Sequence, residues 1–341
     1  MTHIIDASHA HPSEGTMRVS ILTALPALLR ELGHDDREIL TELELEPSLL
    51  DDPENLLPYR RVGDILQHCV QRTGCQHLGL LLGQRGGMAT LGLVGELSRH
   101  SADVGSALRT AIQYLHHHDQ GGMPILNVQG TLCIFAYVIY SKNIPAADQI
   151  LTGALSIMLQ IMRELCGPHW QPTTVTLPFH APDDVEVYAR MFHVRPQFDA
   201  EQAALIFPAS CLQRPLQGGD PKVQQLLKRH FNDAKSTPSA QRVVYGMVSA
   251  GDSSLSKLAQ TRAVSARTLN RQLRGQGTSF RQLKQDARMD KACQLLRDTA
   301  MPIAEIAASL GYASASPFTR AFKRWSGCTP SEWCLRHKNT L

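Results

Sequence analysis

No apolar stretch in the 341 residues approaches the roughly 18 to 20 uncharged positions that a membrane-spanning helix requires, so a helical membrane protein is excluded. The opening, Met-Thr-His-Ile-Ile-Asp-Ala-Ser-His-Ala-His, lacks a basic region followed by an apolar core. It does not read as a signal peptide, and the expected compartment is the cytoplasm. The eight cysteines, Cys69, Cys75, Cys133, Cys166, Cys211, Cys293, Cys328 and Cys334, contain no C-x-x-C pair. That spacing fits reduced thiols buried as small hydrophobes better than a zinc or redox centre. There is also no nucleotide loop: the glycine-studded run from Leu78 to Gly95 has neither G-x-G-x-x-G nor a Walker lysine, and reads as close helix packing and turns. Nucleophile motifs and recognisable carboxylate pairs are missing too, so no catalytic residue and no cofactor or metal is assigned.

What is present is a strong division of charge. The net charge of +3 combines a C-terminal stretch, 240–341, with 16 Lys and Arg against 6 Asp and Glu, and a remainder with 18 against 25. An acidic part followed by a basic one points to a polyanionic partner for the basic part, nucleic acid before an anionic membrane.

The length suggests two domains. Residues 1–17 are polar and aperiodic and read as a flexible tail. An α+β domain is expected over 18–212. Its elements are a helical stripe of Ile21, Leu22, Leu25, Leu28 and Leu29 ending near Gly33, and a helix carrying Val62, Ile65, Leu66 and Val70 that stops at Gly74. A helix capped by Ser101 follows, with Val104, Leu108, Ile112 and Leu115 in register. The runs 125–128 and 131–140 then form a hairpin turning at Gln129-Gly130. A long helix over 146–166, short β runs at 174–179 and 204–207 and a helix at 184–192 complete it. Turn formers at 216–221 and 236–239 bracket a linker, 213–236, with a helix at 223–231. From 237 to 341 the pattern is all helical.

Within that last part the chain repeats one motif. Leu255, Leu258 and Ala259 build a short helix that breaks near 262–264, and a second helix starts at the capping residue Ser265. There Leu269 and Leu273 face inward, while Arg267, Asn270, Arg271 and Arg274 lie on the exposed flanks. Arg and Asn can each grip a base edge through two hydrogen bonds. The motif recurs when the helix 302–310 breaks at Gly311-Tyr312 and restarts at Ser314 or Ser316. In the restarted helix Phe318, Ala321, Phe322 and Trp325 share one face, and Thr319, Arg320, Lys323 and Arg324 the other. Between the two units, 279–297 carries an apolar stripe of Phe280, Leu283, Ala287, Ala292, Leu295 and Leu296, expected as a rigid spacer helix. Two such units can enter successive major grooves of B-DNA, about 34 Å apart.

The run Ile303-Ala-Glu-Ile-Ala-Ala-Ser-Leu-Gly-Tyr-Ala-Ser-Ala-Ser-Pro-Phe-Thr-Arg-Ala-Phe-Lys-Arg-Trp-Ser-Gly-Cys-Thr-Pro-Ser-Glu-Trp333 resembles the C-terminal signature of the AraC/XylS transcriptional regulators. The upstream stretches Ser265-Ala-Arg-Thr-Leu-Asn-Arg-Gln-Leu and Gly277-Thr-Ser-Phe are similar to that family's first unit. Less sharply, Leu78-Gly-Leu-Leu-Leu-Gly, Ser106-Ala-Leu-Arg-Thr-Ala and Arg214-Pro-Leu resemble its AraC-type arabinose-binding and dimerisation domain. The resemblance implies a sequence-specific, effector-responsive activator and not an enzyme. Its implied partners are double-stranded promoter DNA, RNA polymerase, an unidentified small effector and a second copy of the chain. By motif position it assigns base reading to Arg267, Asn270 and Arg271 and to Ser316, Thr319 and Arg320, with Lys323 nearer the backbone. Pro317 departs from the pattern and is tolerable as a first helical residue, with the helix starting at Ser316.

Other features take plainer readings. Glu332, three residues after Thr329, completes a capping box. His116-His-His118 invites a metal, but three consecutive histidines diverge around a helix end, where the dipole favours a cationic imidazole. Any effector pocket belongs to the α+β domain, where Phe135 and Tyr137 of the hairpin and Met158 and Met162 of the long helix supply an apolar wall. The competing functions are a DNA-tethered enzyme, such as a repair alkyl acceptor with a reactive cysteine, and a nonspecific nucleoid protein. The first needs an activated thiolate or zinc-bound cysteines, and the second leaves base-reading Arg and Asn without a purpose.

Overall fold

The computed structural model describes residues 15–233, 239–251, 253–261 and 264–337. Most of the expected tail, residues 236–238 of the expected break and the turn at 262–263 lie outside the described residues. The chain divides into two compact units: Met1–Val175 with Pro182–Pro196 and Ala203–Ser236, and Thr176–Ala181 with Gln197–Gln202 and Thr237–Leu341.

The first unit opens with β1 (Thr16–Arg18), a 3-10 turn (Leu22–Ala24) and the short helices α1 (Leu25–Glu31), α2 (Asp36–Glu42) and α3 (Pro47–Asp51). Then come β2 (Leu56–Pro58), antiparallel to β1, and α4 (Tyr59–Thr73), closed by Gly74 at φ 68°. Next are α5 (Leu78–Gly83), α6 (Leu93–Arg99) and α7 (Val104–Tyr114). Ser101 does not cap α7 as expected. Asp103 caps α7 by accepting from the Ser106 N–H at 2.6 Å, whereas the Ser101 hydroxyl accepts from Gln224. The longer reach of a carboxylate at the right offset outcompetes the earlier serine.

The main sheet has the order β3-β4-β6-β5, built from β3 (Gly122–Gln129), β4 (Leu132–Ile139), β5 (Thr174–Thr176) and β6 (Ala203–Pro208). The β3/β4 hairpin closes with Gln129 opposite Leu132, so the two-residue loop is Gly130-Thr131, one position later than the sequence pattern implies. Gly130 at φ 59° takes the first loop position, where glycine is favoured. The expected strand at 174–179 is shorter, ending at Thr176.

The helix α8 (Ala147–Cys166) packs against β4, β6, α4 and α5. Its approach to α5 needs glycine: a Cβ on Gly79 would lie 2.1 Å from the Gln149 carbonyl oxygen, and one on Gly83 2.2 Å from that of Gly153. The glycine-rich run is therefore a close helix contact, as expected. Two more helices belong to this unit, α9 (Val185–Phe192) and α10 (Pro221–Asp233), the latter longer than the expected 223–231. Its buried Phe231 lies against the rings of Tyr114 and His117, at 5.1 and 4.9 Å between centroids.

The second unit is helical: α11 (Ala240–Ser249), α12 (Leu255–Thr261), α13 (Ala266–Gly275), α14 (Phe280–Asp298), α15 (Ile303–Ser309), α16 (Ala315–Ser326) and α17 (Pro330–His337). The spacer α14 has 19 residues without interruption, a length of about 28 Å. It packs against α11, α15 and α17. Ala287, Ala292, Leu295 and Leu296 are buried as expected, whereas Phe280 and Leu283 are only half-buried.

Candidate nucleic-acid interface

Two helix-turn-helix arrangements present the cations of the second unit. In the first, Leu258 and Ala259 of α12 and Leu269 and Leu273 of α13 are all buried. Those four anchors fix which face of α13 meets water. Ser265 caps α13, its hydroxyl accepting from the Thr268 N–H at 3.1 Å and meeting the Thr268 hydroxyl at 2.9 Å. Arg267, Arg271 and Arg274 are exposed, and Asn270 is half-buried on the flank.

In the second arrangement, Ile306 and Ala307 of α15 and its C-cap Leu310 join Phe318 and Phe322 of α16 and Ala292, Leu295 and Leu296 of α14 in one core. The turn between α15 and α16 is closed by N–H bonds from Gly311 to the Ala308 carbonyl and from Tyr312 to that of Ala307, both 2.9 Å, with Gly311 at φ 76°. Tyr312 lies 5.7 Å from Phe318 and 6.4 Å from Trp325 between ring centroids, and the Arg288 guanidinium sits 5.2 Å from the Tyr312 ring centroid. This clamp leaves Ser316, Arg320, Lys323 and Arg324 exposed and Thr319 half-buried. Trp325, expected inward, is half-buried.

The helix α16 begins at Ala315, with Ser314 at its N-cap, so Pro317 is its third residue and not its first. The fit survives because the N–H groups of a helix's first turn have no partner within the helix, so proline forfeits no bond there. Glu332 and Thr329 form the reciprocal capping box: the Glu332 carboxylate accepts from the Thr329 N–H at 2.7 Å, and the Thr329 hydroxyl from the Glu332 N–H at 3.3 Å.

The electrostatics of these helices are unusual in one respect. Among the described residues, Arg267, Arg271, Arg274 and Arg320 have no carboxylate partner within ion-pair distance. Unpaired guanidinium groups on exposed helix flanks repel one another mildly and await an anion.

Residues 33–216 match the family described as "Arabinose-binding domain of AraC transcription regulator, N-term", and residues 258–336 match a helix-turn-helix domain. The first match alone spans more than half of the chain. The chain belongs to the AraC family of transcription regulators. It is 26% identical over 332 residues to the ornithine utilization regulator of Pseudomonas aeruginosa, covering 92% of this chain and 95% of that protein. It is 22% identical over 328 residues to the transcriptional regulator VirS of Mycobacterium tuberculosis, covering 93% and 96%. Among solved structures, the transcriptional regulator CdpR of Pseudomonas aeruginosa is similar over 90% of this chain and 97% of its own, at 22% identity and a TM-score of 0.43.

As an AraC-family protein the chain is a DNA-binding transcription regulator and not an enzyme. Its cysteines agree. Burial pushes Cys69 and Cys133 up to about 12 and Cys166 up to about 11, the reverse of an activated thiolate. No helix among the described residues is long and apolar enough to cross a membrane.

The three histidines do diverge. The His116 Nδ1 meets the Gln113 carbonyl at 3.0 Å, His117 lies against Phe231, and His118 is buried toward the unit's interior. The expectation of cationic imidazoles is overturned, because burial lowers His117 and His118 to about 4 and outweighs the helix dipole.

Proposed function

We propose that this AraC-family regulator reads two half-sites in successive major grooves of promoter DNA, as a homodimer in the cytoplasm, and activates transcription through RNA polymerase when a small effector occupies its first unit. In this reading Arg267, Asn270 and Arg271 read bases from α13. Ser316, Thr319 and Arg320 do so from α16, while Arg274 and Lys323 neutralise phosphates.

The observation that supports it is the set of exposed, carboxylate-free cations on the flanks of both second helices, each helix anchored by buried residues on its opposite face. A guanidinium at that place can bind guanine through two hydrogen bonds, worth about 1–3 kcal/mol of discrimination. The proposed domain limits are those of the sequence reading: 18–212 for the effector and dimerisation domain, 213–236 for the linker and 237–341 for the DNA-binding domain.

The test is selection of bound sequences from a random duplex pool by the full-length protein at near-physiological salt. Two enriched half-sites at a fixed spacing, with Arg267→Ala relaxing identified positions in one of them, is the expected outcome. Enrichment of nothing, with and without cell extract as an effector source, overturns the specific-reader assignment.

A further inference from the structure

The first unit contains a partly open cavity of about 120 Å³ between α8, α5, α4, α7 and the β3/β4 hairpin. Leu66, Leu108, Phe135 and Met158 represent its mostly apolar wall. Phe135, Tyr137 and Met158 were expected there, whereas Met162 is buried elsewhere. For scale, an engineered apolar cavity of about 150 Å³ accepts benzene, so this space suits one ring or a chain of about six carbons.

The few polar groups in the wall are mostly committed already. The Gln149 side-chain oxygen accepts from the Gly79 N–H at 2.9 Å, and its amide donates to the Gln76 carbonyl and to Asp148. The Asp119 carboxylate accepts from the N–H groups of Gly121 and Gly122, at 2.8 and 2.9 Å, and from the Tyr137 hydroxyl, which in turn meets the Tyr59 hydroxyl at 3.2 Å. The Thr90 hydroxyl accepts from the Gly87 N–H. His118 differs: it is 7% exposed, it lines the cavity, and neither of its ring nitrogens has a hydrogen-bond partner among the described residues. A buried polar atom left in that state is costly, and a ligand that satisfies it regains the loss.

We propose that this cavity is the effector site and that it takes a small, mostly apolar molecule bearing one hydroxyl group, such as a monocyclic phenol or a six-carbon alcohol, with the hydroxyl bonded to the His118 imidazole. A hydroxyl fits because it can donate to a bare ring nitrogen or accept from a protonated one, so either tautomer is served. A carboxylate would bring a second negative charge beside Asp119. A sugar would bury several hydroxyls against a wall with one open partner, which is unfavourable. The inference rests on the effector-responsive reading above and specifies its ligand class.

The test is calorimetric titration and thermal unfolding of the full chain with phenol, cyclohexanol, benzene, benzoate and arabinose. Phenol and cyclohexanol are expected to bind one saturable site, phenol at least about tenfold more tightly than benzene, while benzoate and arabinose leave the unfolding temperature unchanged. In His118→Leu the phenol preference is expected to vanish while benzene still binds. Because that variant removes a buried side chain, the imidazole 15N signals of the wild-type protein serve as a second readout, shifting with phenol and not with benzene.

Equal binding of phenol and benzene, a phenol preference that survives in His118→Leu, or stabilisation by arabinose or benzoate alone would each overturn the proposal. DNA selection on the same preparation separates the two readings. Failure of phenol with successful selection sinks only the ligand assignment, and the reverse sinks only the specific-reader assignment.

Discussion

Arginines of the first unit and arginines of the two recognition helices keep different company. Arg72 pairs with Glu38 and Glu42 at 2.9 and 2.8 Å, Arg99 with Glu164 at 2.8 Å, and Arg30 and Arg85 with Asp36 and Glu31. Arg267, Arg271, Arg274 and Arg320 have no carboxylate in reach among the described residues. Carboxylates of the first unit take up several of its arginines, while these four guanidinium groups of the recognition helices are left open. Exposed pairs of the first kind contribute about 0–1 kcal/mol each to stability. Open cations contribute nothing to the fold and a great deal to binding a polyanion.

Salt separates the two most strongly. With about six to ten phosphates contacted, raising monovalent salt from 50 to 200 mM is expected to weaken DNA binding by about 10³–10⁵-fold. The unfolding temperature of the ligand-free protein should barely move over the same range, since its surface pairs are worth so little. Fluorescence anisotropy against an enriched duplex, beside a thermal scan, checks both. A binding constant indifferent to salt would erase the distinction between open and paired cations.

The next test exchanges the members. Arg267→Ala is expected to cost about 1–3 kcal/mol of binding to the enriched site and to relax preference at one base pair. Arg72→Ala should leave DNA binding unchanged and, with two exposed pairs lost, cost at most about 2 kcal/mol of stability. If Arg72→Ala weakened DNA binding as much as Arg267→Ala, pairing would not be what distinguishes the two groups.

A third test finds the first unit's own sensitivity, which is to protons. His118 is lowered to about 4 from its ordinary 6.5, by burial first and by Arg18 second. Below pH 6.5 the unfolded chain takes up a proton that the folded one refuses, so stability is complete above 6.5 and is lost as pH falls toward 4. At pH 5 this amounts to about 2 kcal/mol. Denaturant unfolding at pH 7.5 and 5.0 measures the loss, and His118→Leu should remove that share of it. His116, His117, Asp119 and Arg18 lie close by, and their contributions remain in the variant.

The recognition helices were largely readable in the sequence, because both carry a strong amphipathic pattern with bulky anchors. Leu269, Leu273, Phe318 and Phe322 are buried where the spacing placed them. Short elements were not: β1 and β2 have three residues each, too few for a period, and α2 went unread although Asp35 caps it and Ile39 and Leu40 form its buried side. The start of α16 was misjudged because Ser314 and Ser316 are equally plausible caps, and neither sequence nor spacing reveals that Ser314 occupies the position without a side-chain bond. His118 was opaque for another reason. Leu115–His117 winds as a 3-10 turn, so the helical phase that would tell which histidine points inward is lost there.

The smallest effect expected comes from Lys323, and it refines the distinction between open and paired cations. Lys323 is exposed and has no ion pair at contact distance, yet the Glu332 carboxyl feels its charge. That carboxyl is held below its ordinary value first by the hydrogen bonds from Thr329 and then, more weakly, by Lys323 and Arg336. Lys323 is therefore intermediate between an open cation and a paired one. Lys323→Ala is expected to weaken all duplexes alike, by about 1 kcal/mol or less, and to reduce the slope of log affinity against log salt by at most about 1. Arg320→Ala should reduce the slope by a similar amount and also change base preference. Lys323→Ala in a Glu332→Gln background should then show a larger loss than in the wild type, because the competing carboxylate is gone. The three slopes, measured on one specific and one random duplex, test whether openness varies by degree along α16; an unchanged loss in the Glu332→Gln background would mean that only contact pairs matter.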